Sequence, residues 1–224
     1  MKHKILIATR LQNKIEIIEH IKNNPEMSSI LIDIKTLKKI LSERDLNPLT
    51  NLAGNLTIIK TIEDRLKHPT AILYIDLDNF KAYNDKYGFI KGDEVLKFTA
   101  QILKDNIIEP DFVGHIGGDD FIIITTPERS ESLAQNICTE FDAKIPKFYN
   151  PEDLKNKKIV TLDRKNNKIE YPIMTLSIAI ISNTTKPLSS VAMVSQIAAE
   201  LKAYAKTKPG GVIKSNFVKE RRKS

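Results

Sequence analysis

Two pairs of aspartates stand where apolar runs of the sequence end. Asp76 and Asp78 close the run "AILYIDLD", and Asp119 and Asp120 follow two glycines in "GHIGGDDFIII". Strand side chains alternate between faces, so the first pair is expected on one face. Adjacent carboxylates repel each other, which favours a cation between them. The hard oxygen ligands suit Mg²⁺ and metal-assisted phosphoryl or nucleotidyl transfer, although either pair could instead only cap or solvate a turn.

Alternating strands and helices must position these acids. The strands are predicted in "TAILYIDLDNF", "FVGHI", "FIIITT" and "YPIMTLSIAII". The helices are predicted in "LTIIKTIEDRLKH", "DEVLKFTAQILKDNI", "SLAQNICTEFDAKI" and "VAMVSQIAAELKAYAKT". The first strand is almost continuously apolar, as a central strand covered on both faces would be. The pattern predicts an α/β sandwich: a mixed sheet with helices on both faces and a central β-hairpin that carries the Gly-Gly-Asp-Asp tip.

The chain divides by its patterning into an N-terminal extension, residues 1–45, and a main domain, residues 46–224. The extension could be a reduced sensor or receiver-like piece, or a packing and dimerising segment. Within the main domain, residues 146–172 are polar and predict a surface insertion with a hairpin in "KIVTLDRKNNKIEY", and residues 214–224 form a basic tail.

Composition limits the class of protein. The 224 residues are 41% hydrophobic and 28% charged, which is typical of a folded globular chain. The net charge of +7 would suit nucleic acid, an anionic membrane surface or phosphorylated ligands. The lysines are scattered and there is no Trp, so we expect no nucleic-acid partner. A single cysteine, no signal-peptide pattern and no apolar run of about 20 residues predict a cytoplasmic protein without a membrane span.

A known family matches the order of five segments: "NPLTNLAGN", "DLDNFKAYNDKYGFIKGDEVL", "GGDDF", "TLSIAI" and "AYAK". In that order and with those gaps they resemble the GGDEF domain of diguanylate cyclases. The resemblance covers roughly Leu46 to Val212, and its second segment is the most specific part. The domain implied is a nucleotidyl-cyclase or palm-like mixed sheet, in agreement with the fold class read from the pattern.

The resemblance also implies roles for individual residues. The metal ligands implied are Asp76, the carbonyl of Leu77, Asp119 and Asp120. Asp119 would also help to deprotonate the attacking 3′-hydroxyl. The residues implied to contact substrate are Asn84 and Asp93 at the guanine edge, the amides of Phe80 and Lys81 and the side chain of Lys206 at the triphosphate, and Gly117 and Gly118, which leave room for the nucleotide.

These residues also have structural interpretations. Asn84 could belong to a turn, Asp93 could begin a helix, Phe80 could be a core residue and Lys206 a solvated residue near a helix end.

The implied reaction is the condensation of two GTP into cyclic di-GMP, with release of two pyrophosphates, in bacterial second-messenger signalling. Each domain would hold one GTP, so a homodimer is needed for catalysis. Two Mg²⁺ ions per active site, or Mn²⁺ in their place, would stabilise the charge on the phosphoryl and leaving oxygens.

Some positions depart from the family pattern. Asp120 stands where glutamate is usual, and His115 stands where many members have arginine. In the window of the family's inhibitory RxxD site, Asp111 remains but the arginine is replaced by Ile108. No basic residue follows Lys206 in "AKTKPGG" at the usual place. The alternatives are therefore a catalytically weak GGDEF-like module that binds GTP and regulates a partner, or a domain that only dimerises.

Overall fold

The main domain is built on a five-stranded sheet. The computed structural model describes residues 45–162, 166–184, 186–207 and 214–221. The strands of the described residues are β1 (Ala71–Asp78), β2 (Phe112–Gly117), β3 (Asp120–Thr125), β4 (Lys158–Leu162), β5 (Lys168–Pro172), β6 (Thr175–Ser182) and β7 (Asn216–Lys219). The large sheet has the order β2-β3-β1-β6-β7, and β4 and β5 form a separate pair. All pairs in the large sheet are antiparallel except β6 with β7, so the predicted mixed sheet is confirmed.

Helices cover both faces of this sheet. They are α1 (Asn55–Arg65), α2 (Phe80–Tyr87), α3 (Phe89–Asn106), α4 (Ser130–Lys144), α5 (Pro151–Asn156) and α6 (Val191–Lys206), with a 3₁₀ turn at Ile145–Phe148. The side chains of β1 alternate between two cores. Leu73 and Ile75 pack in the core of α2, α3 and α4, whereas Ile72 packs in the core of α1 and α6. The prediction of a central strand covered on both faces is therefore confirmed.

The chain between β1 and α3 contains a helix that the sequence analysis did not predict. Asn79 has a left-handed φ of 65°, and α2 begins at the next residue. Gly88, with φ 87°, separates α2 from α3. The helix expected from Asp93 onward begins at Phe89, because Gly92 is accommodated inside the helix and does not end it. The early start of α3 and the presence of α2 place a helix hairpin directly after the central strand.

Residues 146–172 form the predicted hairpin, β4 with β5, but the expectation that they lie outside the core needs correction. Tyr149 and Ile159 are buried in the core of α2, α3 and α4. Because side chains alternate along β4, a polar hairpin can still turn one apolar residue inward.

The basic tail is also partly structured, since β7 pairs in parallel with β6 at the sheet edge. The prediction for residues 1–45 lies outside the described residues except at Asp45. Within the described ranges, no helix is long and apolar enough to cross a membrane.

Candidate active site

Three carboxylates converge where β1 ends beside the β2–β3 tip. Asp76 lies directly opposite Asp120 in the antiparallel register of β1 and β3. Cross-strand neighbours of this kind have Cβ atoms about 5 Å apart. The backbone N–H of Leu77 donates to the carbonyl of Asp119 at 3.3 Å, which holds the tip against β1. The strand register therefore brings together the three aspartates that the resemblance implied as metal ligands.

Two lysines from α6 neutralise this cluster. Lys202 Nζ lies 2.9 Å from Asp76 Oδ2 and also contacts Asp120 Oδ1. Lys206 Nζ lies 2.7 Å from Asp76 Oδ1, although this contact lacks hydrogen-bond geometry. Residues four apart on a helix share a face, so one face of α6 presents both ammonium groups. Asp76 is 4% exposed, and a buried carboxylate needs such partners.

The electrostatics separate Asp119 from Asp76. Burial would raise the pKa of Asp76, but Lys206 and Lys202 outweigh it and hold that pKa below its ordinary value. Burial, reinforced by the negative charge of Asp76, raises the pKa of Asp119. For Lys202, burial would lower the ammonium pKa, but Asp120 and Asp76 raise it above its ordinary value. Of Asp76 and Asp119, Asp119 is consequently the better suited to accept a proton.

The donor set fits a divalent cation in its chemistry. Among the residues that the structure describes, no three His, Cys, Asp or Glu side chains are grouped as a complete metal site. The carboxylates of Asp76 and Asp120 nevertheless already hold ammonium cations, and Asp76 Oδ1 is buried without a hydrogen bond. Mg²⁺ commonly takes one or two carboxylates and fills its other positions with phosphate oxygens and water. Asp76, Asp119 and Asp120 would thus supply the protein part of such a shell.

Asp78 has a structural role in this arrangement. Its carboxylate accepts hydrogen bonds from the hydroxyls of Thr175 at 2.7 Å and Ser177 at 2.8 Å. Both hydroxyls come from β6, which pairs with β1 on the side away from the hairpin. Asp78 therefore links two strands of the sheet, in line with the structural interpretation of an acidic pair.

The hairpin tip is shaped by two glycines with positive φ. Gly117 has φ +149° and Gly118 has φ +58°, and a Cβ on either would meet no heavy atom within 4 Å. The backbone conformation, not crowding, accordingly favours glycine. The open space beside the tip agrees with the expected room for a nucleotide.

His115 holds this tip in place by packing and hydrogen bonding. It is buried and stacks on Phe121 with ring centroids 4.2 Å apart. Its Nε2 lies 3.0 Å from the carbonyl of Gly118 and its Nδ1 3.0 Å from Thr50 Oγ1. Because a carbonyl can only accept, Nε2 carries the proton, and Nδ1 accepts from the Thr50 hydroxyl in the neutral ring. Burial lowers the pKa of His115, which keeps the imidazole ring neutral at physiological pH.

A second group of candidate residues lies on the helix hairpin of α2 and α3. Asn84 is half-buried on α2, and its Oδ1 has no hydrogen-bond partner among the described residues. Gly92 of α3 packs against it so closely that a Cβ would lie 1.8 Å from Asn84 Oδ1. Asp93 follows as an exposed residue. The structure thus brings both predicted guanine contacts to one helix pair, and one of them, Asn84, has an unsatisfied acceptor.

The predicted phosphate contacts lie at two places. Phe80 and Lys81 are the first residues of α2, whose initial N–H groups have no acceptor within the helix. The Phe80 side chain is buried, so its backbone alone is available to a ligand, while the Lys81 side chain is exposed. Lys206 lies at the acid cluster instead, paired with Asp76.

Lys202 is the residue that the sequence analysis missed. Its position four residues before Lys206 on a predicted helix was the available signal, because that spacing places both lysines on one face. Asp76 and Asp120 belong to other segments of the sequence, so their pairing with Lys202 was not visible in the sequence.

Comparison with known proteins identifies the family. A family profile described as "Diguanylate cyclase, GGDEF domain" matches residues 47–163, which is more than half of the chain. A diguanylate cyclase of Vibrio cholerae is 41% identical over 93 residues, covering 40% of this chain and 29% of that protein. The diguanylate cyclase DosC of Escherichia coli is 38% identical over 95 residues, covering 41% of this chain and 20% of that protein. The chain thus spans less than a third of the length of these curated relatives.

Solved structures show the same fold. The diguanylate cyclase SiaD of Pseudomonas aeruginosa, crystallised with its activator SiaC, aligns with a TM-score of 0.61 at 15% identity; the match covers 98% of this chain and 78% of the SiaD chain. The coiled coil and GGDEF domain of DgcB from Caulobacter crescentus, in complex with c-di-GMP, also aligns with a TM-score of 0.61, at 18% identity; the match covers 90% of this chain and 98% of the DgcB chain. With the profile match over residues 47–163, these findings show that the chain belongs to the GGDEF family.

Proposed function

We propose that this chain is a diguanylate cyclase that condenses two GTP into cyclic di-GMP. The observation that carries the proposal is the meeting of Asp76, Asp119 and Asp120 at one point, with the pKa of Asp119 raised. The 3′-oxygen of one GTP forms a bond to the α-phosphorus of the other. The bond from that phosphorus to the β-phosphate bridge breaks, and pyrophosphate leaves.

Asp119 suits the first step as a general base. Its carboxylate lies beside Asp76, and it can take the proton of the 3′-hydroxyl. The backbone bond from Leu77 to its carbonyl keeps it beside Asp76. Asp76 is kept ionised by two lysines and is available as an anionic ligand.

Substrate contacts would follow the two groups of residues described above. Asn84 and Asp93 would read the guanine edge, where an unsatisfied amide oxygen suits the N–H donors of the base. The N–H groups that begin α2 would bind phosphate oxygens, as helix N-termini commonly do. Gly117 and Gly118 would let the nucleotide approach the tip.

Mg²⁺, or Mn²⁺, would be held by Asp76, Asp119, Asp120 and the carbonyl of Leu77. Such an ion would stabilise the negative charge on the transferring and leaving oxygens. Because each chain would bind one GTP, two chains must face each other as a homodimer for both 3′-hydroxyls to react.

The alternative is a GTP-binding module with little activity. Asp120 is one methylene shorter than the glutamate usual in the family, and it is already paired with Lys202. A module of this kind would bind GTP and leave it intact.

Incubation of the purified chain with GTP and Mg²⁺, followed by chromatographic separation of the nucleotides, tests the proposal. We expect cyclic di-GMP from the wild type and a loss of about 10²-fold or more with Asp119→Asn, which keeps the side-chain size and removes the base. GTP that is bound but recovered unchanged at high protein concentration would favour the binding module. GTP that does not bind would contradict both.

A further inference from the structure

Lys202 occupies the position between the two facing carboxylates. Its Nζ touches Asp76 Oδ2, 2.9 Å away, and Asp120 Oδ1 on the neighbouring strand. A cation that bridged Asp76 and Asp120 would need these same two oxygens. The lysine therefore already makes the contacts that a bridging metal ion would make.

The ammonium group is also held firmly in this place. The Lys202 side chain is only 18% exposed, whereas that of Lys206 is 48% exposed. Leu201 and Ala205, its neighbours along α6, are buried against the sheet. The helix thus fixes the start of the side chain, and the two carboxylates fix its end.

We propose that the ammonium group of Lys202 takes the place of one of the two divalent ions, so that each chain binds one divalent ion with its nucleotide. This inference rests on the proposed function for its nucleotide. It differs from the expectation of two ions per site, and it makes Lys202 a positioning residue that holds Asp76 and Asp120 together before any metal binds.

The test is a Mn²⁺ titration of the metal-stripped full chain with 3′-deoxy-GTP, which cannot react because it lacks the attacking hydroxyl. Free Mn²⁺ is followed by its electron paramagnetic resonance signal, and Mn²⁺ bound by nucleotide alone is subtracted. The variants are Lys202→Met, which keeps the length without the charge, Lys202→Arg, which keeps the charge, and Lys60→Met as a control on the exposed face of α1.

We expect one Mn²⁺ per bound nucleotide for the wild type, Lys202→Arg and Lys60→Met, and two for Lys202→Met. The affinity of Lys202→Met for Mn²⁺ should also be at least about tenfold higher, because a neighbouring positive charge is gone. A wild-type count of two overturns the proposal, even if Lys202→Met fails to fold. A count of one in folded Lys202→Met overturns it as well.

A second arm without nucleotide separates this proposal from the proposed function. We expect metal-free Lys202→Met to melt at a lower temperature than the wild type, because its carboxylates then repel each other. Mn²⁺ should restore most of that difference and change the wild type little. Equal Mn²⁺ stabilisation of both proteins would overturn the role of Lys202, whereas failure of 3′-deoxy-GTP to bind would contradict the proposed function alone.

Discussion

At the scale of single residues, the site depends on small side chains as much as on charged ones. Gly92 leaves just enough space for the amide of Asn84, since a Cβ there would lie 1.8 Å from Oδ1. Asn84 keeps that oxygen without a hydrogen-bond partner among the described residues. A glycine in a helix interior usually costs stability, so its presence here is better explained by the neighbouring amide than by the helix.

Substitution Gly92→Ala tests this relation. We expect the affinity for GTP to fall about tenfold, because the displaced amide loses one hydrogen bond to the base. The stability should not rise despite the helix propensity of alanine, because the new Cβ would also meet Asn84 Cγ at 2.9 Å and Phe80 Cζ at 3.2 Å. Binding of a non-reacting GTP analogue and urea unfolding measure the two effects.

The matched control for Gly92→Ala is the double variant Gly92→Ala/Asn84→Ala. Once the amide is gone, the methyl group meets only Phe80 Cζ, at 3.2 Å, so the double variant should bind no worse than Asn84→Ala alone. A further drop in affinity would show that Gly92 acts on something other than Asn84.

His115 acts at the same scale through its two hydrogen bonds. Phenylalanine at this position would keep the stacking on Phe121 and lose the bonds to Gly118 and Thr50. A hydrogen bond of this kind contributes about 0.5–1.5 kcal/mol, so the loss of two in His115→Phe should lower the free energy of unfolding by about 1–3 kcal/mol. Urea unfolding at about pH 7.5 measures it; an unchanged free energy would contradict the assigned role.

The pH dependence of the same residue provides a second prediction. Because the folded state lowers the pKa of His115, the unfolded chain binds the proton more readily. The stabilising contribution is therefore complete above the unfolded value of about 6.5 and is lost as the pH falls through the lower folded value. Between about pH 7.5 and 5.5, wild-type stability should fall more steeply than that of His115→Phe; parallel slopes would contradict this assignment.

At the scale of elements, the hairpin insertion supports the helix that carries Asn84. Asp153 of α5 is buried, accepts from Lys86 Nζ of α2 at 2.7 Å, and contacts the Tyr87 hydroxyl. Burial would raise the pKa of Asp153, but Lys86 and Tyr87 hold it below its ordinary value. The Tyr83 hydroxyl of α2 also donates to the carbonyl of Phe148 at 2.8 Å. Residues 146–172 thus hold α2 through the ion pair of Asp153 with Lys86 and the hydrogen bond from Tyr83.

We expect Asp153→Asn to weaken this support. The variant keeps the size of the side chain and loses the ion pair with Lys86, which should lower the free energy of unfolding by about 1–3 kcal/mol. Exchange of Glu152, an exposed neighbour on α5, for Gln is the control and should change little. Equal effects of the two variants in urea unfolding would contradict a specific role for Asp153.

At the scale of the whole molecule, the proposed reaction requires two chains. The specific activity should therefore rise with protein concentration until the dimer is saturated. Mixing the wild type with an excess of Asp119→Asn should lower the cyclic di-GMP formed per wild-type chain, because most wild-type chains then face an inactive partner. Activity that is independent of concentration, or unaffected by the variant, would contradict the dimeric mechanism.

The sequence alone predicts four strands of the large sheet, the central place of β1 and the position of both acidic pairs. Periodicity carries this information locally: the run from Ala71 to Asp78 must be a buried strand, and the hairpin around Asp119 is marked by its glycines. The ordered segments also identified the family, since their spacing holds regardless of packing details.

Which charges meet depends on the tertiary structure. Asp78 accepts hydrogen bonds from Thr175 and Ser177, almost a hundred residues away. Its position two residues after Asp76 could not reveal these partners. Lys202 reaches Asp76 and Asp120 only because α6 packs over β1 and β6. Local periodicity predicts the face of a strand or helix on which a residue lies. Which partner it meets there depends on how elements far apart in the sequence pack against each other.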